Sequence, residues 1–174
     1  MTQCDLSSTN EKFQLAIVGE IIPEKSRWII VAFQRNKSGD QVHSPSIFDY
    51  CNLTSMFVML NGRKYPQLEY VTNFAQQKFS GFYGDAAAFK ENFYGVEDLV
   101  SSPIMNSPDD KELFPMFVFD MSKQSEKLKN STTDIHIKAQ FSSNALEDTE
   151  AFAVVISDKS LILQSDGNKM SVKY

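Results

Sequence analysis

Between Phe114 and Tyr174 the apolar residues fall at the spacing of strands, and this restricts the chain to a mainly β architecture. Ile135, Ile137, Ala139 and Phe141 alternate with Asp134, His136, Lys138 and Gln140, so one face of an extended segment is apolar and the other polar. Phe117-Val-Phe119 and Ala151-Phe-Ala-Val-Val-Ile156 are short continuous apolar runs of strand length. Leu161-Ile-Leu-Gln164 and Met170-Ser-Val-Lys-Tyr174 flank Ser165-Asp-Gly-Asn168, whose Asp-Gly pair suits the positive φ angles of a tight hairpin.

The upstream part reads the same way with one exception. Met1 to Asn10 is polar and rich in Ser and Thr, which predicts a loose leader over residues 1–12. Phe13, Leu15 and Ile17 alternate as a first strand, a series that Gly19 and Ile21 can extend, closed by Pro23. Trp28 to Phe33 is a continuous apolar run, the pattern of a strand buried on both faces. Asn36 to Pro45 has no period and reads as a loop. Met56 to Leu60 makes a further strand, Asn61-Gly62 a turn, and Arg63-Lys-Tyr65 a return that Pro66 ends. The exception is the stripe Ala75, Phe79, Phe82, Ala86, Phe89 and Phe93, whose spacings of four and three are helical. Gly81 and Gly84 interrupt it and each costs about 1 kcal/mol relative to Ala, so two short helices, a kinked one and a straight one all fit. Gly95 is placed to cap its end, and the helix is expected to cross over the edge of the sheets. Ser101 to Pro115 reads as an irregular connection.

Composition narrows the function by exclusion. At 174 residues the chain is about one domain long. Fourteen Phe, six Tyr and one Trp predict an aromatic core, with Trp28 inside it. A net charge of −5 argues against coating nucleic acid, and the short basic cluster Lys123, Lys127 and Lys129 contains Glu126 and reads as a solvated turn. Cys4 and Cys51 are too few for a disulfide framework, and no charged segment followed by an apolar run opens the chain. The sequons at Asn52 and Asn130 are then chance matches. The apolar runs are well short of a membrane-spanning helix.

Catalytic chemistry finds little to stand on. His43 and His136 are far apart in sequence, and a zinc site needs three or four spaced ligands. Asp109, Asp110 and Glu112 read as acids at a helix start, and Asp166-Gly-Asn168 lacks the alternate acids of a calcium loop. Gly81-Phe-Tyr-Gly84 places aromatic rings where a phosphate loop needs close backbone approach. Ser122, Ser125 and Ser160 have no nearby His to activate them, and Cys51 reads as a small buried residue. No catalytic, cofactor or metal residue is assigned.

Four segments carry a family resemblance: Phe117-Val-Phe-Asp-Met-Ser-Lys-Gln-Ser-Glu-Lys-Leu-Lys129, Thr133-Asp-Ile-His-Ile137, Ala151-Phe-Ala-Val-Val-Ile-Ser-Asp-Lys159 and Ser165-Asp-Gly-Asn-Lys-Met-Ser-Val172. With Arg27-Trp-Ile-Ile-Val-Ala-Phe-Gln34, Phe48-Asp-Tyr-Cys-Asn-Leu-Thr54 and Met59-Leu-Asn-Gly-Arg-Lys-Tyr-Pro66 in the same order, the chain resembles double jelly-roll major capsid proteins of Polinton/Maverick-type elements and adintoviruses. The resemblance implies an antiparallel jelly-roll β-sandwich over residues 13–174, with a helical insertion around 74–94, corresponding to the C-terminal of two jelly rolls. It also implies a structural, non-enzymatic capsid-like protein that acts by self-assembly, as a trimer or larger, or with an N-terminal jelly-roll partner. Phe79, Phe82, Tyr83, Phe89, Phe93 and Tyr94 are the candidate interface residues, aromatic side chains being suited to anchor a contact. Nucleic-acid and membrane contacts are not expected, and the location would be the virion, or otherwise cytoplasm or nucleus. Two other readings remain: a host-retained jelly roll binding carbohydrate or peptide, marked by a groove with exposed aromatics and convergent polar groups, and a remnant without function.

Overall fold

The structure is a computed structural model describing residues 2–6, 12–17, 26–35, 44, 47–76, 78, 80–95, 115–122, 134–142, 149–157, 162–165 and 170–173. In chain order its elements are β1 (Thr2–Leu6), β2 (Lys12–Ile17), β3 (Ser26–Arg35), β4 (Leu53–Leu60), β5 (Arg63–Val71), α1 (Ser80–Tyr94), β6 (Met116–Asp120), β7 (Ile135–Phe141), β8 (Thr149–Ser157), β9 (Ile162–Ser165) and β10 (Met170–Lys173).

The first eight strands form one long ribbon folded on itself. At its tip, Asn61 and Gly62 have φ of 46° and 78°, and a two-residue turn with both angles positive is the one that matches strand twist. Outward from this tip β4 pairs with β5, β3 with β6, β2 with β7 and β1 with β8, all antiparallel. The ribbon is rolled, so β3 also pairs with β8 and β4 with β7. Rolling sorts the strands into two four-stranded sheets, β1-β8-β3-β6 and β2-β7-β4-β5. This is a jelly-roll β-sandwich.

Alternation then decides what each sheet buries. Ile29, Val31, Phe33, Phe117, Phe119, Ala151 and Ala153 of one sheet share a core with Leu53, Met56, Val58, Leu60, Ile135, Ile137, Ala139 and Phe141 of the other. The aromatic core expected from composition is present: Phe33 meets Phe141 edge-on across the sheets at 5.4 Å. Trp28 and Val118 point the opposite way and form a second cluster with Ala86 and Phe89 of α1. That explains the unbroken apolar run of β3, which is covered by the sandwich on one face and by a helix on the other.

Four expectations change. Residues 1–12 are not simply a leader, because Thr2–Leu6 pairs along its length with β8. Its alternation, Thr2, Cys4 and Leu6 against Gln3 and Asp5, is short and only weakly apolar, and an edge strand is held by backbone hydrogen bonds to its neighbour. Pro66 does not end β5. The strand runs on to Val71, with a register shift between the Val58↔Tyr65 and Met56↔Tyr70 pairs. An edge position tolerates proline and a bulge because no further strand needs the missing N–H. The helix starts at Ser80, while Ala75 is an exposed turn residue. Cys51 is only partly buried, in a turn with Asn52 that gives both positive φ and leads into β4. All but Ser44 of the expected loop Asn36 to Pro45, all but Pro115 of the connection Ser101 to Pro115 with its acids at 109–112, the Lys123 cluster and the Asp166-Gly167 turn lie outside the described residues.

Candidate functional site

α1 is the element added to the ribbon, between β5 and β6. Ala86-Ala-Ala88 at its centre has high helix propensity. Its end is fixed by Gly95, whose φ of 65° suits a left-handed cap and whose N–H donates to the Glu91 carbonyl at 3.0 Å. The helix is continuous through Gly81 and Gly84. Phe82 enters the main core, with ring centroids 4.9 Å from Phe117, 5.6 Å from Phe119 and 4.9 Å from Tyr70. Two turns on, Phe89 stands edge-on to Trp28 at 5.3 Å, on the outer face of the β1-β8-β3-β6 sheet. The helix therefore closes one end of the sandwich and then crosses over the sheet, as the stripe predicted.

A cleft of about 330 Å³ lies where β5, α1 and β6 meet, lined by Tyr65, Pro66, Gln67, Tyr70, Asp85, Phe119, Asp120 and Met121. Within it the Tyr70 hydroxyl donates to Asp85 Oδ2 at 2.9 Å, and the Asp120 N–H reaches the same oxygen at 3.4 Å. Asp85 thus ties the helix to both strands. Burial first, then the negative charge of Asp85 and its hydrogen bond, then Asp120, push the Tyr70 phenol above its ordinary range. Across the bulge of β5, Lys64 donates to Glu69 at 2.8 Å and holds that carboxyl below its usual value.

The six aromatic residues singled out from the sequence separate into groups. Phe82 is fully buried and Phe89 nearly so, because both side chains complete the cores described above, which removes them as surface anchors. Phe93 and Tyr94 are 50 % and 65 % exposed and pack on each other at 5.1 Å beside Phe89. Phe79 and the side chain of Tyr83 lie outside the described residues. Sequence reasoning missed Leu68 and Val71, 84 % and 77 % exposed on β5, and Leu163, 65 % exposed on β9. Each sits in a strand-like sequence whose outward face only the bulge or the pairing reveals. His136 lies partly buried on the polar face of β7. Among the described residues no group of three or more His, Cys, Asp or Glu could hold a metal ion, and no helix is long and apolar enough to cross a membrane.

A rolled eight-strand ribbon with a helix over one sheet defines the class: a jelly-roll β-sandwich. The family model of the double jelly roll-like domain matches residues 2–161, and the chain belongs to that family. The match takes in β1 to β8 with α1 and stops immediately before β9. No curated protein and no solved structure matches.

Proposed function

We propose that this chain is a structural, capsid-like building block that works by packing against other copies of itself or against a partner jelly roll. Membership of the double jelly roll-like family over residues 2–161 carries the reading. In it the chain corresponds to the C-terminal of two jelly rolls and is not an enzyme, its place is the virion or the cell interior, and Phe93 and Tyr94 supply aromatic anchors for one contact. Light scattering of the purified chain, alone and mixed with an N-terminal jelly roll from a two-jelly-roll relative, tests it. A trimer, a larger assembly or a stable mixed complex is expected. A monomer at high concentration that ignores the partner would overturn it.

The cleft between β5, α1 and β6 favours a second reading, a binding module for carbohydrate or peptide, since Tyr65 and Tyr70 converge there with Gln67, Asp85 and Asp120. It ranks second because Asp85 and Tyr70 already satisfy one another. Saccharide and peptide panels read by thermal shift would bring it forward if a member raised Tm and Tyr65→Ala abolished the effect.

A further inference from the structure

The cleft between β5, α1 and β6 lies at the β5 bulge, where four residues, Pro66 to Glu69, stand opposite the single Phe57 between the Val58↔Tyr65 and Met56↔Tyr70 pairs. Bulges at a sheet edge re-aim side chains, and this one brings Tyr65, Pro66 and Gln67 to one cavity with Tyr70, Asp85 and Asp120. Of the eight lining residues two are carboxylates, three are aromatic and none is Lys, Arg or His, so the cavity is built for positive charge beside a π face. The Tyr70 hydroxyl gives Asp85 a hydrogen bond but brings it no positive charge. The charges of Asp85 and Asp120 both act on that hydroxyl, which places both carboxylates at the same spot. Tyr65, Tyr70, Asp85 and Asp120 are all half-buried, so a ligand can reach them where charges are screened less than on an open surface.

We propose that the cleft is a socket for an arginine side chain presented by a segment of a partner protein, the guanidinium pairing with Asp85 and Asp120 and lying against Tyr65 and Tyr70. The inference rests on the second reading above, that the cleft binds a ligand, and gives that ligand its class. Size separates it from a carbohydrate site: about 330 Å³ is at the small end of ligand pockets, room for one side chain rather than a run of sugar rings. Arginine suits the lining better than lysine, because a planar guanidinium stacks on an aromatic ring while its several N–H groups reach carboxylate oxygens, and an ammonium is a compact, strongly hydrated charge. A peptide suits it better than a free amine. Residues 66–69 have no partner in the β4 register, so the backbone of the bulge lies beside the cavity where a peptide main chain can bond to it.

Amide chemical shifts of the full chain test this while blocked glycine-rich pentapeptides are added, with arginine, lysine, citrulline or glutamate at the centre. The arginine peptide is expected to shift the amides of Tyr65, Tyr70, Asp85 and Asp120. It should bind at least about tenfold more tightly than the citrulline peptide, which has the same shape without the charge. Asp120→Asn keeps the oxygen that accepts from the Ser122 N–H, so Tm should hold while arginine affinity falls at least about tenfold. Tyr65→Leu should weaken binding as well, through the lost π face. Unchanged arginine affinity in Asp120→Asn, a citrulline or lysine peptide that binds as tightly, or shifts scattered over the surface away from the cleft would overturn the arginine socket. A saccharide that moves the cleft amides where the arginine peptide does not would overturn the class and leave the binding reading standing. Cleft amides that respond to no peptide and no saccharide would overturn both.

Discussion

Gly81 and Gly84 sit one turn apart on α1 and have opposite consequences. A Cβ at Gly81 would lie 2.6 Å from Cδ1 and 3.1 Å from Cγ of Tyr70, and Cγ is the root of the ring, which cannot swing aside while wedged beside Phe82 and Phe119. A Cβ at Gly84 would meet nothing within 4 Å. Gly81→Ala is therefore expected to destabilise by about 1–3 kcal/mol through overpacking. Gly84→Ala should stabilise by up to about 1 kcal/mol through helix propensity, and urea midpoints of the two variants check both. Tyr70 itself gives a pH signature. Its folded form keeps the phenolic proton to higher pH than the unfolded chain does, so the stability tied to it is complete below about pH 10 and is lost as pH rises from there through the folded value. Tyr70→Phe should be less stable than the parent at neutral pH, lacking the Asp85 hydrogen bond, and the gap in Tm should narrow above about pH 10. A gap constant from about pH 7 to about pH 12 would contradict the assignment.

At the scale of elements, legibility followed how local the determining physics is. The Asn61-Gly62 tip was readable because positive φ is a property of those two residues, and β7 because its alternation records one buried and one solvent-facing side. The run in β3 announced burial on both faces, though not that a helix supplied the second cover. α1 was readable by its stripe but not at its start, since Ala75 fits the helical spacing while lying in a turn closed by the Asn73↔Lys78 bridge. The β5 bulge, the cleft and the exposed Leu68 and Val71 were not readable, because strand-like residues say nothing of where pairing breaks. β1 was not readable either: Thr2, Cys4 and Leu6 alternate with Gln3 and Asp5 over only five residues and with little apolar contrast, and the register with β8 is set by tertiary pairing. Deleting residues 1–7 should accordingly destabilise the fold by a few kcal/mol, at about 1 kcal/mol for each ladder hydrogen bond lost. Chemical denaturation measures this. An unchanged midpoint would return the segment to a loose leader.

Across the whole molecule, the rolled ribbon keeps two kinds of aromatic residue apart on a single helix, and that separation makes folding and assembly independently testable. Phe82 is fully buried among Phe117, Phe119 and Tyr70, at the point where α1 closes the sandwich. Phe82→Ala should lose about 3–5 kcal/mol, the transfer energy of the ring plus the cavity it leaves. Phe93 and Tyr94, in the last turn of the same helix, project half or more of their surface outward. The double change Phe93→Ser with Tyr94→Ser should therefore move stability little, within about 1 kcal/mol. If the exposed end of α1 anchors a neighbouring copy, the same double change lowers the sedimentation coefficient of the assembled chain to that of a monomer. A chain that assembles unchanged after losing both rings would remove this surface from the contact. A loss of stability matching that of Phe82→Ala would instead mean that the second cluster over Trp28 depends on these rings, through the 5.0 Å stack of Phe93 on Phe89.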